Sequence, residues 1–171
     1  MKIETDIRKI EAIARKKATE NSRFRMHLKA CDETVEEIDA VVHEIYNEIV
    51  PLIDCQKCAN CCRTMFPGLN ETDVRVFAQG LGISIEQMEK QYLITTENPD
   101  DEPDPYWTFK RLPCPFLKDN RCQNYDYRPE TCRSFPHLHK SEFISRLIGV
   151  IENYAVCPLV FNVYERLKGI F

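Results

Sequence analysis

Nine cysteines dominate the chemistry open to this chain of 171 residues, and eight of them fall into a spaced pattern. Cys55, Cys58, Cys61 and Cys62 form C-x2-C-x2-C-C; Cys114, Cys122, Cys132 and Cys157 follow, and Cys114 and Cys157 each precede a proline. A two-residue spacer lets two thiolates converge on one centre while the intervening amides can point toward the sulfurs. Two such spacers in series supply three thiolates from one short loop. Zinc ribbons instead use separated C-x2-C knuckles, each giving two ligands. Three close cysteines and a remote Cys-Pro are the habit of [4Fe–4S] ferredoxins. The spacing therefore favours an iron–sulfur cluster, with zinc or mononuclear iron as the alternative. A disulfide framework fits less well. It belongs to small secreted chains, and Met1–Asp6 lacks the apolar segment of a secretory signal.

Adjacent side chains diverge by about 100° on a helix and point to opposite faces of a strand. Cys61 and Cys62 are therefore expected to serve two centres or to bridge a binuclear one. Eight thiols suffice for two four-thiolate sites, and a single cluster with spare thiols is the other partition. Cys31 stands apart and is expected to act as a small buried apolar residue. Four thiolates around a dication carry excess negative charge, which is costly to bury alone. Arg63, Arg128 and Arg133 lie in or beside the motifs and are expected to supply compensating charge. His137 and His139 would share a face if their stretch is extended, but a surface pair is the commoner outcome. His27 and His43 are expected at the surface.

These groups need elements to hold them. Ile3, Ile7, Ile10 and Ala14 form one helical stripe, and Val35, Ile38, Val42, Ile45, Ile49 and Leu52 form a second. Thr34 and Glu37 have the spacing of a capping box, as do Ser84 and Gln87. Asn70 is a candidate N-cap, and Gly80 and Gly82 stop the helix that follows. Residues 1–30 carry nine Lys/Arg and four Asp/Glu, whereas residues 31–54 carry eight acids and no Lys or Arg. The two helices are expected to pair antiparallel with complementary charges as an arm over 1–54. Residues 55–171 would form the cysteine-cluster domain. There, 95–105 reads as a loop, Trp107–Leu112 as a strand and Lys118–Arg121 as a hairpin turn. Pro129 is expected to start a short helix through Cys132, Phe143–Ile151 reads as a strand with a helix as the alternative, and Pro158 opens a last helix. The fold class is α+β, mostly helical, with a small β-hairpin.

Composition narrows the function classes. With 43% hydrophobic residues the chain can bury an ordinary core, and a net charge of −4 argues against a nucleic-acid binder. No apolar run reaches about 18 residues, so no membrane span is expected. The expected location is the cytoplasm, and the 1–54 arm reads first as two surface helices with solvated faces and second as a device that docks a protein partner or a second copy.

The pattern Cys55-x2-Cys58-x2-Cys61-Cys62, Cys114-Pro115-Phe116-Leu117, Cys122-x2-Tyr125-x2-Arg128-Pro129-x2-Cys132-Arg133-x-Phe135-Pro136 and Cys157-Pro158 resembles the CxxCxxCC (YkgJ-like) cysteine-cluster family. That family is described as zinc- or iron-chelating. The resemblance spans about residues 55–160 and implies metal binding through all eight clustered cysteines in a prokaryotic cytoplasmic protein. A similar cluster occurs in flagellin lysine N-methylases, but this chain is shorter and has no G-x-G-x-x-G loop. Three function classes follow: a metal-cluster protein with a structural or redox centre, an iron–sulfur enzyme or accessory subunit acting with S-adenosylmethionine, and a metal chaperone or sensor. The spacing differs from the C-x3-C-x2-C of radical enzymes, which disfavours the second.

Overall fold

Side-chain caps fix where the longer helices begin. In the computed structural model, which describes residues 3–96 and 105–171, Asp6 accepts from the Arg8 and Lys9 amides and opens α1 (Ile7–Ala30). Thr34 and Glu37 close their capping box at the start of α2 (Val35–Ile49), with bonds of 3.2 and 2.8 Å. Asn70 and Asp73 do the same for α5 (Glu71–Leu81), and Ser84 and Gln87 for α6 (Ile85–Tyr92). Gly82 ends α5 in the left-handed conformation (φ 67°), which costs a residue without Cβ nothing. Gly80 lies inside the helix. Two short helical turns, α3 (Cys55–Cys58) and α4 (Asn60–Thr64), carry the first four clustered cysteines.

The chain divides into two compact units. The first joins residues 1–55 to 136–171, and the second spans 56–135. The sequence division at 54 assigned the C-terminal segment to the cysteine domain, but that segment packs with the N-terminal helices. Its α9 (Pro158–Leu167) is the reason. All residues from Pro158 to Tyr164 are buried, and each large apolar side chain fully removed from water contributes about 1.5–3 kcal/mol. α2 lies along α9, α8 (Leu147–Tyr154) packs on α9, and α1 packs on both α8 and α9. The antiparallel α1–α2 seam is therefore not the main packing of either helix. Ile10, Ile38, Val42, Ile45 and Ile49 are buried as the stripes predict, while Val35 and Leu52 at the stripe's ends are exposed.

Polar contacts complete this unit. The Asp39 carboxylate, buried on α2, accepts from the Glu142 and Phe143 amides. Glu165 accepts from Lys168, Lys17 and the Tyr154 hydroxyl, and Lys168 also reaches Glu20. Arg166 pairs with Glu48. Residues 143–146 form turns and 147–154 a helix, which corrects the expected strand at 143–151. Burial of Leu147, Val150 and Tyr154 follows helical spacing, and an apolar run this short does not itself discriminate the two periods.

The second unit is built around Phe77, Phe109 and Phe116, whose rings lie 4.8–5.8 Å apart between centroids. Leu69, Val74, Met88 and Leu93 fill the space about them. β1 (Leu93–Thr96) pairs antiparallel with β2 (Tyr106–Phe109), with Leu93 opposite Phe109. β1 takes the first residues of the stretch read as a loop, while 97–104 fall outside the described residues. β3 (Leu117–Lys118) and β4 (Arg121–Cys122) form the expected hairpin. Asp119 and Asn120 both have positive φ, at 49° and 62°, as a two-residue type I′ turn requires. A 3₁₀ turn (Tyr125–Tyr127) leads to α7 (Glu130–Ser134), with Pro129 at its N-cap. Among the described residues, no single helix is long and apolar enough to cross a membrane.

Candidate metal centre

Four thiols from four separate segments lie within electrostatic reach in the second unit. Cys62 comes from α4, Cys114 from the strand connection, Cys122 from β4 and Cys132 from α7. Cys62 acts electrostatically on the other three, Cys122 acts on Cys114 and Cys132, and Cys114 acts on Cys132. The Cys114 amide donates to the Cys62 carbonyl (2.8 Å), which locks the first of these segments to the second. All four residues are half-buried.

The surroundings set the thiols unequal. The Cys62 thiol is held down to about 7, first by the hydrogen bond it receives from Cys61, then by the Arg63 and Arg128 guanidiniums, against the opposing effect of burial. Burial pushes Cys114 up to about 11 and Cys132 up to about 12, and neighbouring thiolates add to both. Cys122 is also raised, chiefly by burial, with Arg128 opposing. Without a cation the site thus keeps most of its protons, because bringing four negative sulfurs together in a half-dry setting is unfavourable.

Each segment is held by contacts remote in sequence. Cys132 rides on α7, whose first amide, Glu130 N, donates to Asp73 of α5 (2.9 Å), and whose Thr131 hydroxyl donates to the Gly68 carbonyl. Cys122 and Arg128 flank the 3₁₀ turn, which lies flush on α5 at Gly80. A Cβ there would overlap Asn124 Oδ1 and the Tyr127 ring. Asn124 Nδ2 donates to the Phe77 carbonyl (2.8 Å) and fixes the same junction. The hairpin is tied to the cysteine loop by Asn120, which donates to the Lys57 carbonyl and accepts from Arg63. Arg63 in turn donates to the Cys58 carbonyl (2.8 Å).

The arginines differ in position. Arg128 stacks on the Tyr125 ring, 3.4 Å from its centroid, and its Nε donates to the Tyr125 carbonyl. That leaves its charge beside Cys62, Cys122 and Cys132. Arg133 pairs with Glu130 at 3.9 Å on the exposed side of α7. Sequence reasoning did not give Asp73, Gly80, Asn120 or Asn124 a part in the site; their signals, where present, were those of a helix cap, a helix stop and a turn. Tyr125 stood in the motif through its spacing to Arg128.

The remaining cysteines are distributed otherwise. Cys55 and Cys58 sit at the two ends of one helical turn, and Ala59 then takes a left-handed conformation (φ 48°) before α4. Cys61 and Cys62 are neighbours on α4, as their expected divergence supposes, yet the Cys61 thiol still reaches Cys62. In the first unit Cys55 and the buried Cys157 lie near Tyr46; burial and these two thiols push its hydroxyl's pKa up. The His139 ring lies 6.1 Å from the Tyr46 ring. His137 has φ 62° within a run of turns, so it and His139 do not share the face of an extended stretch. His27 is exposed and His43 half-buried, and they meet the Phe171 and Lys140 carbonyls. Cys31 is not buried. It caps the end of α1 and donates to the Leu28 carbonyl (3.2 Å).

The donor set suits zinc or iron: four thiols, backbone amides at the Cys114 and Cys122 sulfurs, and two guanidiniums offsetting the negative charge. Among the described residues, no three His, Cys, Asp or Glu side chains form a ready metal-holding group. The fold supplies the neighbourhood rather than a closed coordination shell. Comparison with curated proteins and with solved structures gives no match. A family model matches residues 54–148, more than half of the chain, and on it the protein belongs to the CxxCxxCC family, described as "Putative zinc- or iron-chelating domain".

Proposed function

We propose that this protein is a metal-binding protein whose clustered cysteines hold an iron–sulfur cluster in a structural or redox role. The observation that supports metal binding is that Cys62, Cys114, Cys122 and Cys132 come from four segments into one electrostatic neighbourhood, with Arg63 and Arg128 beside them. The iron–sulfur assignment rests on the sequence, through Cys55-x2-Cys58-x2-Cys61 and the remote Cys-Pro pairs. Zinc or mononuclear iron is the second reading, favoured by the family description and by the suitability of four thiolates for a closed zinc site.

When bound, the metal neutralises the thiolates and crosslinks the segments that carry them. The chain's own residues orient those thiols and exclude water. Cys62 is the first sulfur to lose its proton, and α7 and the hairpin bring the others to it. Protein purified without oxygen tests this reading through absorbance near 400 nm and through iron, zinc and acid-labile sulfide per chain. Iron with matching sulfide supports the cluster. Colourless protein with zinc supports the second reading, and protein lacking both metals refutes metal binding.

A further inference from the structure

We infer that the outer face of α1 docks along the outer face of α2 of a second copy of this chain. Among the described residues no ion pair joins α1 to α2, whose apolar faces pack on α8 and α9. Among the exposed residues of α1, Lys9, Ala12, Lys16, Thr19, Arg23 and Met26 form one stripe away from α8 and α9. These positions alternate steps of three and four, the spacing of a coiled-coil seam. On α2, Glu37, Ala40, Glu44 and Asn47, four of its exposed residues, repeat the same steps.

The two stripes are complementary in charge and shape. Lys16 and Arg23 lie seven residues apart, as do Glu37 and Glu44, and seven residues span about 10.5 Å of helix axis. Antiparallel docking therefore sets Arg23 against Glu37 and Lys16 against Glu44 in one register. Ala12 and Thr19 on one side and Ala40 on the other are small enough for the backbones to approach. Lys16, Arg23 and Glu44 make no ion pair among the described residues, and Glu37 only caps Thr34. Lys9 has a long contact to Glu4 at 3.8 Å.

A surface this polar associates weakly and is screened by salt. Sedimentation of the full chain, under reductant and over a concentration series, reads it. At about 20 mM salt the average mass should rise with concentration above that of the 20.1 kDa chain, and at about 500 mM it should return to it. Lys16→Glu and Glu44→Lys should each abolish the rise, and the double variant should restore it. Both positions are exposed, so circular dichroism should not change. A chain monomeric at both salts, or an association that neither substitution weakens, overturns the inference. So does a monomer that instead retains polyglutamate at low salt, which would assign the stripe to a different acidic partner.

Discussion

Removing one carboxylate should loosen both the fold of the second unit and its thiols. Asp73 is 8% exposed and serves two helices. Its Oδ2 accepts from Asn70 N at 3.3 Å, the long arm of the α5 capping box, and its Oδ1 accepts from Glu130 N at 2.9 Å at the start of α7. The first bond is long and contributes about 0.5 kcal/mol, at the low end for a cap. The second is charge-assisted and partly buried, and its loss strands an amide, so it contributes about 1.5–3 kcal/mol. Asp73→Ala should therefore destabilise the unit by about 2–3.5 kcal/mol. Asp73→Asn keeps one acceptor oxygen and should cost about 1 kcal/mol. At about 2–4 °C per kcal/mol for a chain of this size, the alanine variant should melt about 4–14 °C lower. Because Cys132 lies two residues past Glu130, the same variant should bind zinc or iron about 10–100-fold more weakly, the usual cost of losing a group that orients a ligand. Thermal melts followed by circular dichroism and competitive metal titrations measure the two effects. An alanine variant within 1 °C of the native chain and with native affinity would refute the argument that α7 is hung on Asp73.

Other parts of the structure make separate predictions. Gly80→Ala should destabilise by about 1–3 kcal/mol through overlap with Asn124 and Tyr127, less about 1 kcal/mol of helix propensity gained, as a chemical melt would show. Cys122→Ser should lose metal while Cys31→Ser, at the end of α1, keeps it; equal metal content in the two would separate Cys122 from the centre. Metal affinity should fall as pH falls, since Cys114, Cys122 and Cys132, all raised by burial, must shed protons on loading. Three released protons give about 1,000-fold per pH unit, measured by titration between about pH 7 and 8. Burial pushes the Glu165 carboxyl up, but Lys168, Lys17 and Tyr154 outweigh it and leave it below the ordinary carboxylate value. Its folded pKa is depressed, so its contribution to stability is present above the unfolded value of about 4.3 and is lost as pH falls through the folded one. Glu165→Gln should flatten the acid limb of the stability curve.

The parts of this fold that were legible in the sequence are those governed by local bonds. Thr34 and Glu37, Asn70 and Asp73, and Ser84 and Gln87 each satisfy amides within one helical turn, so their spacing alone locates the helix starts. The Asp119-Asn120 turn is local in the same way. What α1 and α2 pack against was not legible, because it depends on the burial of α9, more than a hundred residues away. β1 was missed since Thr95 and Thr96 are polar and hold strand conformation only through pairing with β2. Cysteine spacing marked the eight thiols as candidates, of which Cys55 and Cys157 fall in the first unit. The grouping of Cys62 with Cys114, Cys122 and Cys132 depends on contacts such as Asp73–Glu130 and Asn124–Phe77, which carry no periodic signal.

X-ray absorption at the metal edge of the loaded full chain tests the central claim most directly. A shell of four sulfurs at about 2.3 Å is expected for zinc, iron or an iron–sulfur cluster alike, and Cys122→Ser should lower the metal bound per chain. A shell dominated by nitrogen or oxygen, or a sulfur shell and a metal content both unchanged by that substitution, would contradict the thiol centre.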